Sequence, residues 1–233
     1  MSRDLAFIVS DLHLGSPHFY CREFIAFLDQ LPAGATLVLN GDIIDDVRRR
    51  LPSTPRSVVD RLVRESQQRP VVWVRGNHDG YLALPEPGAI QFVDRWQFGT
   101  RLLVVHGADL DRLMPRHGLF KWLFRRLHRL RVALGFQDMH VAEYAKRWTS
   151  LYRALNEHVA RNALRAAAEG GFAAIACGHT HAAMDLTTDQ GRYLNTGAWT
   201  EIPLHYLRVD TTAITLLRYA PAAAATPCTA EAP

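Results

Sequence analysis

Asp11 and His13 stand two residues apart just after an apolar run, Leu5 to Val9. In an extended chain alternate side chains share a face, so a carboxylate oxygen and an imidazole nitrogen can address one ion. Alone, an Asp-x-His pair is a weak signal, because a turn aspartate and a satisfied core histidine explain it more readily. Four further places repeat the pattern. Gly41-Asp42-Ile43-Ile44-Asp45, Gly76-Asn77-His78-Asp79, His106-Gly107 and Gly178-His179-Thr180-His181 each follow an apolar run. Asp11, His13, Asp42, Asn77, His106, His179 and His181 together offer carboxylate, amide and imidazole donors. That is too many for one ordinary transition-metal site, and it suits two divalent ions sharing one carboxylate.

The elements that must position these groups are legible around them. Leu5 to Val9, Thr36 to Asn40, Pro70 to Arg75, Arg101 to Val105 and Phe172 to Cys177 read as buried strands, each ending where a polar motif begins. Strand ends are where sites are built in α/β sheets. Cys21 to Leu31 and Ser57 to Gln68 read as helices between strands, the first closed by Pro32-Ala33-Gly34. From about 110 to 168 only helical periodicity remains, as expected of an insertion within a single domain spanning 1–219. Two or three strands follow, up to about Tyr219. The Ala- and Pro-rich residues 220–233 are expected to be disordered.

Composition bounds the possibilities. Of 233 residues 48% are hydrophobic and 21% charged, which excludes a disordered chain and gives enough apolar mass for a core. Cys21, Cys177 and Cys228 are odd in number and lack CxxC spacing, which argues against a disulfide framework and for a reducing compartment. The first apolar run has five residues, too short for a signal peptide or a membrane span, so a cytoplasmic location is expected. A net charge of +4, carried mostly by arginine, suits phosphate-bearing substrates, anionic membrane surfaces or nucleic acid without choosing among them.

As an ordered set, the five motifs resemble those of the calcineurin-like metallophosphoesterases, from about Leu5 to Tyr219. The resemblance implies an α/β four-layer sandwich, two facing mixed β-sheets flanked by helices, with a helical insertion. It also implies two divalent metal ions, expected as Mn2+, with Fe, Zn or Co as alternatives. By motif position Asp11, His13 and His181 would bind the first ion, and Asn77, His106 and His179 the second. Asp42 would bridge them and so take part in catalysis, and a hydroxide between the ions would attack phosphorus in line. His78 would sit near the leaving oxygen and give it a proton or a hydrogen bond. Asp45 and Asp79 would orient histidines from behind.

Within that superfamily the chain is most similar to the UDP-2,3-diacylglucosamine pyrophosphatase group, which releases lipid X and UMP in lipid A biosynthesis. The likeness rests on Ser10 to Gly15, on Arg48-Arg49-Arg50 after Asp45, on the insertion after His106-Gly107, and on Asn195 to Glu201. One departure is His78, where the best-known enzymes of that activity carry Arg. Within the insertion, at about 100° per residue, Leu119, Phe120, Leu123, Phe124, Leu127, Leu130 and Leu134 fall on one arc. Lys121, Arg125, His128 and Arg129 fall on the opposite arc. Such a helix either packs its apolar face on the core or accepts acyl chains while resting on an anionic membrane. A second stripe, from Val141 through Tyr152 to Val159, reads as packing. Arg48 and Arg49 are candidates for a substrate phosphate, or else a solvated loop. A phosphoesterase acting on nucleic acid, cyclic nucleotides or phosphoprotein remains the alternative. A non-catalytic interaction module fits poorly, since every expected ligand type is present.

Overall fold

A computed structural model describes residues 4–112, 126, 149–221 and 225–228. In chain order the elements are β1 (Leu5–Val9), α1 (Cys21–Gln30), β2 (Thr36–Asn40), α2 (Ser53–Glu65), β3 (Val71–Val74), β4 (Gln91–Val93), β5 (Trp96–Phe98) and β6 (Leu102–Val104). A 3-10 turn (Ala108–Leu110) is followed, after the undescribed stretch, by α3 (Thr149–Glu169). Then come β7 (Ala174–Cys177), β8 (Met184–Thr188), β9 (Gly191–Asn195), β10 (His205–Asp210) and β11 (Ile214–Arg218).

Two mixed sheets result. The first runs β11-β10-β1-β2-β3-β4 and the second β5-β6-β7-β9-β8. β1 to β4 are parallel to one another, with β10 antiparallel on the far side of β1. In the second sheet β7 lies parallel between β6 and β9. Strand side chains alternate, so each sheet needs cover on both faces. Ala6, Ile8, Val38, Val72 and Val74 meet Leu102, Val104, Ala174, Ala176 and Leu194 between the sheets. The alternate residues Phe7, Val9, Leu37, Leu39 and Trp73 face outward onto Phe24, Phe27 and Leu28 of α1 and Val58 and Leu62 of α2. On the other side Leu103, Ile175 and Tyr193 pack on Ala160, Ala163, Leu164 and Ala167, an i, i+3, i+4, i+7 stripe of α3. Helix, sheet, sheet and helix make the four layers that the resemblance implies.

The differences from the sequence reading have local causes. α2 starts four residues earlier than expected, because Pro55 sits in the first turn, where its missing N–H breaks no helical hydrogen bond. β4 and β5 have three residues each, too few to show a period. Among the described residues four strands rather than two or three follow β7. Cys21 and Cys228, whose number and spacing argued against a disulfide framework, are joined in a disulfide with Cα atoms 5.7 Å apart, while Cys177 is free and buried. The fold brings together cysteines 207 positions apart, which spacing could not reveal, and the cysteine count no longer argues for a reducing compartment. Part of the tail expected to be disordered is tied to α1: Thr226 N–H donates to Glu23 Oε1 at 3.0 Å and Cys228 N–H to the Phe19 carbonyl at 2.6 Å. Among the described residues no helix is long and apolar enough to cross a membrane.

Candidate metal centre

The motifs meet at one edge of the sandwich, because β1, β2 and β3 end there in one sheet and β6 and β7 in the other. The loops after β1 and β2 run side by side: Asp11 N–H donates to the Gly41 carbonyl, His13 N–H to Asp42 and Leu14 N–H to Ile43, at 3.0, 3.0 and 2.7 Å. The two sheets are tied across the seam by Asn40 Nδ2, which donates to the Val105 carbonyl at 3.1 Å, and by His179 N–H, which donates to Asp11 Oδ2 at 3.1 Å. Backbones pack closely here. A Cβ on Gly76 would collide with the backbone and carboxylate of Asp42, and one on Gly178 with the Asp11 carboxylate and Ser10. Close approach, rather than a left-handed turn, explains glycine at both positions.

Five of the seven expected ligands adopt left-handed backbone: Asp11 (φ 53°), His13 (49°), Asp42 (52°), His179 (62°) and His181 (57°). Residues other than glycine rarely do so, although Asp and His do more often than most, and such outliers gather where side chains must be aimed.

The side chains form two adjoining sets. In the first, Asp11 Oδ1 lies 3.2 Å from His181 Nε2 and 3.9 Å from His13 Nε2. In the second, Asn77 Oδ1 lies 3.2 Å from His106 Nε2 and 3.1 Å from His179 Nδ1, and Asp42 Oδ2 is 3.2 Å from His106 Nε2. Asp11, Asp42 and His106 also place ligand atoms within 4.8 Å of one another, so the sets touch. One oxygen of each aspartate is occupied, Asp42 Oδ1 by His78 N–H at 2.8 Å and Asp11 Oδ2 by His179 N–H. The other oxygen of each faces the nitrogens.

These residues fit divalent cations. Asp11 Oδ1 is fully buried and, among the described residues, accepts no hydrogen bond of good geometry, although His181 Nε2 stands 3.2 Å away, a costly arrangement for a carboxylate oxygen. His13 Nε2 and His181 Nε2 face each other at 3.2 Å, nitrogen to nitrogen, which calls for a proton or a cation between lone pairs. Burial works against charge on Asp11 and Asp42, but the neighbouring histidines outweigh it and hold both carboxyls below the ordinary carboxylate value. Burial likewise opposes a charged His106, yet Asp42 and then Asp11 push it up to about 10; Asp11 and then Glu201 push His181 up to about 9. Protons thus balance the charge that cations would otherwise balance.

The far nitrogens of the four histidines have partners of their own. His13 Nδ1 meets Asp45 Oδ1 at 3.0 Å, and His106 Nδ1 donates to the Asn40 carbonyl at 3.0 Å. His179 Nε2 meets Asp111 Oδ2 at 3.1 Å, and His181 Nδ1 faces Glu201 Oε1 at 3.6 Å, an ion-pair distance. Such partners fix ring orientation and leave the inner nitrogen to the metal. Asp45 thus lies behind a histidine, His13. Asp79 does not: its buried carboxylate accepts from Ile43 N–H (2.7 Å), Gly76 N–H (2.8 Å) and Trp73 Nε1 (3.1 Å), and so braces two loops rather than a histidine. His78 Nδ1 donates to the Asp45 carbonyl at 2.6 Å, which leaves Nε2 free to face the site, 3.9 Å from Asp42 Oδ2.

Arg48 and Arg49 are not brought into the cluster. Both are exposed and lie 3.6 Å from Asp46. Leu119, Phe120, Leu123, Phe124 and Leu127 lie outside the described residues. Sequence reasoning missed Asp111 and Glu201. Nothing in the spacing flags Asp111, whereas Glu201 closes the Asn195 to Glu201 stretch already noted. It also read Tyr152 as packing, but the Tyr152 hydroxyl donates to the Thr180 carbonyl at 2.6 Å.

The calcineurin-like phosphoesterase profile matches residues 6–183, and the chain belongs to that family. It is accordingly a hydrolase acting on phosphoester bonds. Among solved structures it is similar to the Escherichia coli phosphoesterase YfcE, with 15% identity over 93% of this chain and 100% of that one (TM-score 0.45). It is also similar to zinc-bound Vps29 of Entamoeba histolytica, with 14% identity over 92% and 97% (0.40). A nuclease, MPE, of Pseudomonas putida matches at 27% identity over 38% and 46% (0.31). No curated protein matches.

Proposed function

We propose that the chain is a dimetal hydrolase that cleaves the pyrophosphate of a nucleotide-linked lipid, UDP-2,3-diacylglucosamine, to lipid X and UMP. The observation that carries the hydrolytic part is the pair of touching donor sets, with Asp11 Oδ1 and Asp42 Oδ2 facing histidine nitrogens. Two divalent ions held there would activate water and offset phosphate charge. Asp11, His13 and His181 would hold one and Asn77, His106 and His179 the other, with Asp42 between them. His78 is tethered through Nδ1 and partly exposed, so its Nε2 can give a proton or a hydrogen bond to the leaving oxygen.

The lipid substrate is supported by the sequence between the two halves of the site. An acyl chain gains about 0.8 kcal/mol per buried CH₂, and the arc expected over Leu119 to Leu127 would supply apolar surface beginning 13 residues after His106. The opposite arc, with Lys121, Arg125 and Arg129, supports contact with an anionic membrane surface, at the cytoplasmic face on this reading. Leu123→Glu combined with Leu127→Glu tests it. The pair should spare hydrolysis of a small soluble phosphodiester and strongly impair that of a diacylated nucleotide-sugar. Wild-type cleavage of both would remove the lipid assignment, and a shared loss together with the folded signal would show that this stretch serves packing alone.

A further inference from the structure

His179 and His181 belong to different donor sets but sit on one short turn, with Thr180 between them. Both are left-handed, and Thr180 N–H closes the turn on the Gly178 carbonyl at 2.7 Å. Such a turn does not hold two rings by itself, because one backbone flip would carry either ring away.

Two side chains from outside the turn hold it. Asp111, 5% exposed, accepts from His179 Nε2 at 3.1 Å, which commits Nδ1 to Asn77 and the donor set. Tyr152 donates to the Thr180 carbonyl at 2.6 Å, fixing the peptide between the two histidines. Both supports are joined to α3. Tyr152 lies on its first turn, and Asn162 Nδ2, three turns on, donates to the Leu110 carbonyl at 2.8 Å, beside Asp111. In sequence, Asp111 comes just before the 113–148 stretch and Tyr152 just after it.

We infer that Asp111 and Tyr152 are positioning residues for the His179–His181 turn, with α3 as the splint that joins them, so that the metal affinity of the donor sets meeting at this turn is tuned by residues flanking the 113–148 stretch. The inference rests on the metal-dependent reading above, and the test separates the two. Co2+ is titrated into the metal-free full chain against a competing chelator, with the visible d–d bands and the stoichiometry as readouts and no substrate present.

Wild type should take up two Co2+. Asp111→Ala should weaken one of them by roughly 10–100-fold and change its bands, the range for loss of a partner behind a metal-bound histidine. Asp111→Asn keeps an oxygen for His179 Nε2–H and should restore most of that affinity. Tyr152→Phe keeps the ring in place and should weaken Co2+ uptake by roughly fivefold, the worth of one neutral hydrogen bond, while the metal-free chain, which also makes this bond, still folds and melts only about 2–4 °C lower. Wild-type constants and bands in both Asp111→Ala and Tyr152→Phe would overturn the inference alone, as would Asn and Ala variants that lose affinity equally. If Asp111→Ala does not fold, unchanged Co2+ constants in Tyr152→Phe would overturn it. A wild type that takes up no Co2+ would overturn the metal reading and the inference together.

Discussion

Removing the Asp79 carboxylate should damage the protein through its backbone rather than its chemistry. The side chain is 1% exposed and accepts three hydrogen bonds: Oδ2 from Ile43 N–H and Trp73 Nε1, and Oδ1 from Gly76 N–H. Hydrogen bonds to a charged group contribute about 1.5–3 kcal/mol each, and they do not add fully when shared by one group. Releasing a buried carboxylate also recovers part of its desolvation cost. Asp79→Ala should therefore destabilise the metal-free chain by about 3–5 kcal/mol. Asn can leave its one oxygen at the Oδ2 position and keep two donors, but its NH₂ then confronts Gly76 N–H, so Asp79→Asn should cost about 2 kcal/mol. Urea unfolding followed by tryptophan fluorescence measures both, and Trp73 reports the loss of its own partner. Asn and Ala variants within about 0.5 kcal/mol of wild type would refute the bracing role. So would a variant of full stability whose only defect is in kcat, since that is the signature of a group acting on a histidine or on substrate.

His78→Ala should retain metal and lower kcat by roughly 10²–10⁴ with poor leaving groups, and by much less with p-nitrophenol esters; equal losses with both would exclude proton donation. Metal uptake should release about two protons near pH 7.5, one each from His106 and His181, and calorimetry in buffers of different ionisation enthalpy counts them. The same groups set a trend in the metal-free chain. Their folded values lie above the unfolded value of 6.5, so their stabilisation is complete below about pH 6.5 and is lost as pH rises through 9 to 10. A metal-free chain that gains stability over that window would contradict the assignment. Gly178→Ala places a Cβ against the Asp11 carboxylate and 2.6 Å from Ser10 Oγ. It should cost about 1–3 kcal/mol and weaken metal uptake, which thermal melts with and without Mn2+ would show.

The sheet centre and the donor types were legible because both are local. An apolar run that ends at an Asp, Asn or His motif shows itself in a few residues, and β1, β2, β3, β6 and β7 all lie within such runs. What was not legible depends on distant pairing. Asp111 and Glu201 are ordinary acidic residues until the fold sets them against His179 and His181. Asp79 lies next to His78 in sequence, yet its side chain turns back under the loops. The disulfide joins positions 21 and 228 only because α1 and the tail lie side by side.

The left-handed backbone at Asp11, His13, Asp42, His179 and His181 has a consequence for protein engineering. Left-handed geometry costs a residue with a side chain up to about 1–2 kcal/mol. Glycine adopts it freely, and asparagine more easily than most. A selection that rewards thermal tolerance alone will therefore favour Gly or Asn at the positions proposed to hold the cations, and a library improved in this way will drift toward hardier proteins that lack the proposed ligands. The charge-preserving exchange of Asp for Glu meets the same obstacle, since a longer carboxylate must reach from a backbone shape that glutamate seldom takes. Thermostabilisation of this chain has to hold those five codons fixed and look for its gains elsewhere.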